Sequence, residues 1–173
     1  MAQTERRPVE KKEFEEEIIQ IDRVAKVVKG GKILRFRVVV VIGDKKGRVG
    51  VGVGKAREIP SAMAKGFADA RRNLIKVPLK NNTIPARISS RSDTAYVFLA
   101  PAVPGTGLVA GSVIRAIAEK AGIQDILSKS IGSPNPLNVA NATIKAFKDL
   151  DRVIERKEIR KKMVVSGGSS EDK

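Results

Sequence analysis

Residues 34–57, LRFRVVVVIGDKKGRVGVGVGKAR, decide the fold. Leu34, Phe36, Val38, Val40 and Ile42 alternate with Arg35, Arg37, Val39 and Val41, the period-2 signature of a β-strand with one fully apolar face. Arg35 and Arg37 fall on the opposite face. Gly43-Asp44-Lys45-Lys46-Gly47 reads as a hairpin loop, and in the returning strand Val49, Val51 and Val53 alternate with Gly50, Gly52 and Gly54. One side of that strand is valine and the other bare backbone, which permits close approach by a packed helix, the commoner case, or by a ligand.

Working outward, Ile18 to Lys29 is β-type sequence, and Lys29-Gly30-Gly31-Lys32 is a turn with a basic tip. Downstream, Lys55 and Arg57 lead into a helix beginning near Pro60, a residue suited to a first helical turn. Met63, Phe67, Ala70 and Leu74 are spaced as its core stripe, while Lys65, Asp69, Arg72 and Lys76 point to solvent or a partner. Residues 16–79 therefore form a first unit, preceded by a charged arm, 1–15, and closed by Val77-Pro78 and Lys80-Asn81-Asn82-Thr83. A second unit, 84–150, is expected to hold strands near 84–90 and 94–100, and then the loop Pro101 to Gly107. A helix from about Leu108 to Ala121 capped by Gly122 follows, then a strand over 123–131 and a helix opened by Asn135-Pro136. Leu137, Ala140, Ile144 and Phe147 line that last helix. Residues 151–173 continue as a basic helix and end in a Ser/Gly tail expected to be disordered.

The 173 residues suit one or two small domains. There are 34 Lys and Arg against 19 Asp and Glu, a formal charge of +15, which points to a polyanionic partner. The excess is local: residues 23–87 hold seventeen basic and three acidic side chains, net +14, whereas residues 1–22 are net −3 and residues 88–173 net +4. No apolar run reaches the ~20 residues that span a bilayer, and the charged N-terminus does not match a signal peptide. The chain contains no Cys and no His, so thiolate chemistry, disulfides and the commonest general base and metal ligand are missing. No cofactor, small-molecule substrate or membrane partner is expected, and the cytoplasm is the expected compartment.

Three motifs invite a nucleotide reading. Gly105-Thr106-Gly107-Leu108-Val109-Ala110 fits a loose dinucleotide fingerprint, with Asp125 twenty residues beyond Gly105. However, Pro101 and Pro104 separate it from the preceding strand, and too little chain remains for the rest of a Rossmann sheet. Gly50 to Lys55 lacks the glycine and the Ser or Thr of a phosphate loop, and Gly47-Arg48-Val49-Gly50 is a KH-type GxxG lying outside a helix pair. Five Phe, one Tyr and no Trp make a poor stacking platform, so folded, largely double-stranded RNA suits the Lys/Arg pattern better than unpaired bases. A free regulator that binds double-stranded RNA and a nucleotide-dependent enzyme are the alternatives.

Six ordered blocks resemble the family of bacterial small ribosomal subunit protein five: Arg23 to Lys32, Gly47-Arg48-Val49-Gly50, Gly54-Lys55-Ala56-Arg57-Glu58, Ala70-Arg71-Arg72-Asn73, Pro104 to Gly107 with Ala110-Gly111, and Asn135 to Val139. The resemblance runs from about residue 14 to 150. It implies an α+β fold: a double-stranded-RNA-binding-like domain, a three-stranded antiparallel sheet with a helix, then a βαβα domain with a left-handed crossover. It implies a structural constituent of the ribosome and not an enzyme, bound to 16S ribosomal RNA at the back of the small subunit and bracing head against body. The implied neighbours are small-subunit proteins four and eight, with protein three beside the channel through which messenger RNA enters. Contact with protein four implies a part in translational accuracy. The RNA-binding set expected from charge and resemblance together is Arg23, Lys26, Val27, Val28, Lys29, Gly30, Gly31, Lys32, Arg35, Arg37, Lys45, Lys46, Arg48, Lys55, Arg57, Lys65, Arg71 and Arg72. Val27 to Lys32 match the family's loop toward the head RNA near the spectinomycin site, and Gly105, Thr106, Gly107 and Arg115 match the region facing protein four. Pro134 and Asn141 stand where several members carry basic side chains.

Overall fold

The computed structural model describes residues 13–167, with side chains through residue 160. Strands β1 (Glu15–Val28), β2 (Gly31–Gly43) and β3 (Arg48–Ala56) form an antiparallel meander, followed by helix α1 (Ile59–Arg72). The sheet has four strands, because the two-residue strand β4 (Ile75–Lys76) pairs with Arg48 and Val49 of β3. Of the arm expected over residues 1–15, residues 1–12 lie outside the described residues, while Phe14 packs against the core and Glu15 opens β1.

The glycine face of β3 serves packing. A Cβ on Gly50, Gly52 or Gly54 would run into α1 backbone at Ala70, Gly66 or Ala62. The helix sits so close that its buried line is Ala62, Gly66 and Ala70, and Met63, Phe67 and Leu74 are only partly covered. The stripe read from residue size is therefore rotated toward the smallest side chains, since only those fit against bare backbone. Asp69 also departs from the solvent face expected for it, accepting a 3.0 Å hydrogen bond from the Val53 amide.

In the second unit, β5 (Ile88–Ser92), β6 (Ala95–Pro101), β7 (Leu108–Val109) and β8 (Ile126–Gly132) make a mixed sheet in the order β5-β6-β8-β7. Helix α2 (Ser112–Ala121) joins β7 to its parallel neighbour β8, the unit to which the expected crossover belongs, and α3 (Pro136–Gly167) follows. The helix expected from Leu108 starts at Ser112 because Leu108 and Val109 are taken up by β7. The last helix, expected to continue as a basic helix past residue 150, runs unbroken through that segment to Gly167.

The two units share one core. Val38, Val40 and Ile42 face α1, and Val39 and Val41 join Val49, Val51 and Val77 in a cluster with Ile84, Ile117, Ala121 and Phe147 of the second unit. With Val38 and Val39 at 0% and 1% exposure, the first sheet is covered on both faces, by α1 on one side and α2 on the other. The face assigned to Arg35 and Arg37 is solvent-facing only toward the hairpin end of β2.

Candidate nucleic-acid interface

Beyond the Phe36–Ala56 pair, β3 ends and only β1 and β2 continue, from Arg23↔Phe36 to Val28↔Gly31. Five residues of strand project roughly 17 Å from the body. An isolated two-stranded ribbon is marginal in water, and this one carries exposed Val27, Val28, Ile33 and Leu34, with Val27 at 71% exposure. Arg23, Lys26, Lys29, Lys32 and Arg35 are exposed along it and form no ion pair among the described residues. Lys29 and Gly30 make the tip, and Gly31, with φ of +144°, is the position that resists a side chain; Gly30 meets nothing within 4 Å and has no such constraint.

A second basic surface adjoins the base of the ribbon. Arg35 from β2, Lys55 from β3, Arg57 from the loop and Ser61 and Lys65 from the first turns of α1 line an open cavity of about 370 Å³, with Glu58 as its one acid. Glu58 at the N-cap makes no side-chain cap bond to the helix start, and Arg35, Lys55, Arg57 and Lys65 bring four cations to the space beside it.

Four of the six remaining expected contacts are engaged inside the protein. Arg37 pairs with Asp22 at 2.7 Å and Arg71 with Glu16 at 3.1 Å. The Asp44–Gly47 turn sits on the C-terminus of α2: the Lys45 amide donates to the Lys120 carbonyl at 3.0 Å and the Gly47 amide to that of Ala121 at 2.9 Å. Those carbonyls are the orphan acceptors of a helix end. Asp44 organises the turn by accepting from the Lys46 and Arg48 amides and from Arg48 Nε at 2.6 Å, and the Arg48 guanidinium lies over the Phe14 ring. Lys45 Nζ pairs with Glu15 at 2.6 Å, and the largely buried Lys120 reaches Glu15 and Glu17 at 3.1 and 3.2 Å. The loop that reads as a second basic tip is thus a domain joint. Lys46, exposed beside it, and Arg72, at the end of α1, remain without an ion pair among the described residues.

These joint groups titrate out of their ordinary ranges. Hydrogen bonds from Lys45 and Lys120 lower the Glu15 pKa, and the Arg37 hydrogen bond, then that of Gln20, lowers that of Asp22. Burial alone would raise Asp44, but donation from Arg48 and Lys46 outweighs it and the net shift is downward. Burial opposes the charge on Lys120, yet Glu15 and Glu17 raise its pKa overall. A carboxylate lowered in the folded state contributes stability above its unfolded pKa and loses it as pH falls through the folded value. Stability should accordingly be flat near neutrality and decline below about pH 4. Lys120, raised, contributes below its unfolded value and loses the contribution as pH rises through the folded one. Urea midpoints across pH test this: Asp44→Asn should flatten the acid limb, and an acid limb as steep as wild type would contradict the assignment.

On the second unit, Gly105 and Thr106 are exposed in the loop before β7, and Arg115 is exposed on α2. The acid that completed the dinucleotide spacing has a structural task. Asp125, 5% exposed, accepts hydrogen bonds from the Gly105 and Gly107 amides at 3.0 and 2.8 Å and shapes the loop. Pro134 lines a cavity at the start of α2, and Asn141 is exposed on α3.

A basic ribbon and cavity lie on a helix-backed antiparallel sheet that is joined to a compact α+β domain. Comparison with known proteins gives the class. The family model for the N-terminal domain of ribosomal protein S5 matches residues 14–78, and that for its C-terminal domain matches residues 90–161. Small ribosomal subunit protein uS5 of Thermotoga neapolitana is 55% identical over 144 residues, covering 83% of this chain and 81% of its own. That of Thermotoga petrophila is 50% identical over 167 residues, covering 95% and 94%, and that of Thermosipho africanus 46% over 164, covering 93% of each. The chain belongs to the S5 family of small ribosomal subunit proteins, and as such it is a structural, non-enzymatic constituent of the cytoplasmic ribosome. Among the described residues no helix is long and apolar enough to cross a membrane, and no group of His, Cys, Asp and Glu could hold a metal ion.

Proposed function

We propose that the chain binds 16S ribosomal RNA chiefly through its N-terminal domain, with the β1–β2 ribbon reaching the RNA of the head and the second unit seated on the body. The observation that carries this is the ribbon: five cations without an ion pair and four exposed aliphatic side chains, on two strands that nothing among the described residues covers. RNA supplies the phosphates, and the ordering of the ribbon on it supplies the head–body brace. The cavity of Arg35, Lys55, Arg57 and Lys65 holds a further stretch of backbone, and the positioning role of these cations needs no base readout. Protein four meets the loop of Gly105, Thr106 and Gly107 together with Arg115, which couples the second unit to translational accuracy. For a further protein neighbour, with protein eight the expected one, the outer face of the second sheet offers exposed Tyr96, Leu127 and Ile131. Protein three completes the expected surroundings near the path by which messenger RNA enters.

Because the units share a core, the test uses the full chain. If about six phosphates are neutralised, log affinity for 16S RNA falls against log salt with a slope of about −4 to −5. Replacing Lys26, Lys29 and Lys32 together by Gln should make the slope shallower by about two to three and weaken binding at least about tenfold at physiological salt. Reconstituted subunits should then lose chemical protection in the head RNA. Wild-type slope and protection in a folded triple variant would remove the ribbon from the interface.

A further inference from the structure

We propose that α3 carries a second RNA-binding surface, a cationic ridge on the C-terminal domain that grips the phosphate backbone of a double-stranded RNA segment separate from the one held by the ribbon. Lys145, Lys148, Arg152, Arg156 and Arg160 are all exposed, and their spacing of three or four residues puts them on one side of the helix. At about 100° per residue they fall within an arc of about 120° and run for about 22 Å. Three of the four acids of the same stretch fall outside that arc: Asp151 and Glu158 project about 120° and 140° from Lys145, on the side opposite Arg160, and Glu155 borders the arc about 20° beyond Lys148. Asp149 alone lies under the ridge, 3.5 Å from Arg152. Residues 145–162 hold eight basic and four acidic side chains, so this stretch accounts for the whole net +4 of residues 88–173.

Opposite charges do meet at three- and four-residue spacing here, as at Asp149 and Arg152, but the cations outnumber the acids eight to four and five of them share one arc with a single acid. From residue 155 to 160 every side chain is exposed, and only Lys157 and Glu158 lie beside another segment, sharing an open cavity with Lys80 and Pro85, so little packing among the described residues holds this part of the helix. The chemistry favours phosphate over a protein. Protein interfaces need an apolar centre, and among the described residues the arc offers only Ile159. Three of the five cations are arginines, whose planar forks match phosphate oxygens. About 22 Å of duplex presents on the order of a dozen phosphates, enough to engage all five. The Lys145 ammonium donates to the Arg91 carbonyl at 3.1 Å, which anchors the ridge's first residue against the edge strand β5.

The identity of the polyanion rests on the ribosomal RNA reading; the ridge itself does not depend on the ribbon. The test is therefore run in the full chain whose Lys26, Lys29 and Lys32 are already Gln, with a fluorescent A-form RNA duplex as probe and anisotropy read over a salt series. Adding R152Q, R156Q and R160Q should weaken binding a further ten- to hundredfold and make the slope shallower by about two to three. R152K, R156K and R160K, which keep the charge, should restore most of the slope. Gln at Lys80, Lys129 and Lys157, equal in charge but off the ridge, should leave the slope within about one of its parent. An unchanged slope in the folded arginine-to-glutamine variant overturns the ridge even if the ribbon reading holds. A slope that responds to the ridge but not to the ribbon leaves the ridge standing and sinks the ribbon.

Discussion

Gly54→Ala should cost about 3 kcal/mol, and Gly54→Leu should abolish the fold. The reason is that the neighbours of this position are main chain. A Cβ on Gly54 would overlap the Ala62 carbonyl and come within 2.6 Å of the Gly66 nitrogen, atoms held by the α1 hydrogen-bond ladder that cannot swing aside as a side chain would. Relief requires α1 to lift from β3, which opens the layer of Val38, Val40, Ile42 and Ala70. Overpacking typically costs about 1–3 kcal/mol, and the rigid neighbours put this case at or above the upper end. Gly30→Ala is the internal control, since nothing lies within 4 Å of that position and its φ is unconstrained; it should change stability by less than about 0.5 kcal/mol. Urea midpoints at constant m report both. If Gly54→Ala kept wild-type stability and instead lost affinity for RNA, the glycine face would be a ligand surface and the packing account would fail.

Gly122→Val is expected to cost about 3–5 kcal/mol, through strain and through the joint between the two units. Gly122 closes α2 at φ of +86°, a conformation costly for any β-branched residue. Its missing side chain also makes room for the other unit: a Cβ would meet the Lys45 carbonyl carbon at 2.6 Å, in the turn that caps α2. The same contact recurs in reverse at Gly43, where a Cβ would meet the Lys120 backbone. Valine at 122 therefore separates the turn from the helix end, exposes the Lys120 and Ala121 carbonyls and loosens the ion pairs of Lys120. Amide exchange should show faster opening at Lys45 and Gly47, whose protons lie in the joint, than in the β1–β2 pairing. Protection at those two amides unchanged from wild type would mean that the joint does not depend on Gly122. Gly122→Ala separates the two effects, since it keeps the clash and reduces the strain.

Function was legible earlier than the tertiary arrangement, because a polyanion-binding protein writes its purpose in its charge. The basic excess of residues 23–87, the absence of Cys and His, and the ordered motif blocks pointed to ribosomal RNA and to the family before any coordinates. The tip at Lys29 to Lys32 was readable because a glycine turn between β-type segments is a local matter. Which cations are free was not, because ion pairs join residues remote in sequence: Arg37 finds Asp22, Arg71 finds Glu16, and Lys45 meets Glu15 across the sheet. The ridge on α3 was present in the spacing from Lys145 to Arg160, yet a net charge counted over eighty residues concealed it.

By itself the sequence determined the strand alternation of β2 and β3, the hairpin turns, the start of α1, the cap at Gly122 and the class of partner. Each depends on neighbours a few residues apart, where backbone sterics and side-chain period act directly. Only the tertiary structure decided that the units share a core and that the Asp44–Gly47 turn is a joint. It also decided that Ala62, Gly66 and Ala70 of α1 lie buried against the sheet while Met63, Phe67 and Leu74 pack at its margin. A hint lay in Val38 to Ile42, since an unbroken apolar run marks a strand covered on both faces. What covers the second face is α2, some seventy residues downstream, and no local period can name a partner that long-range burial alone selects.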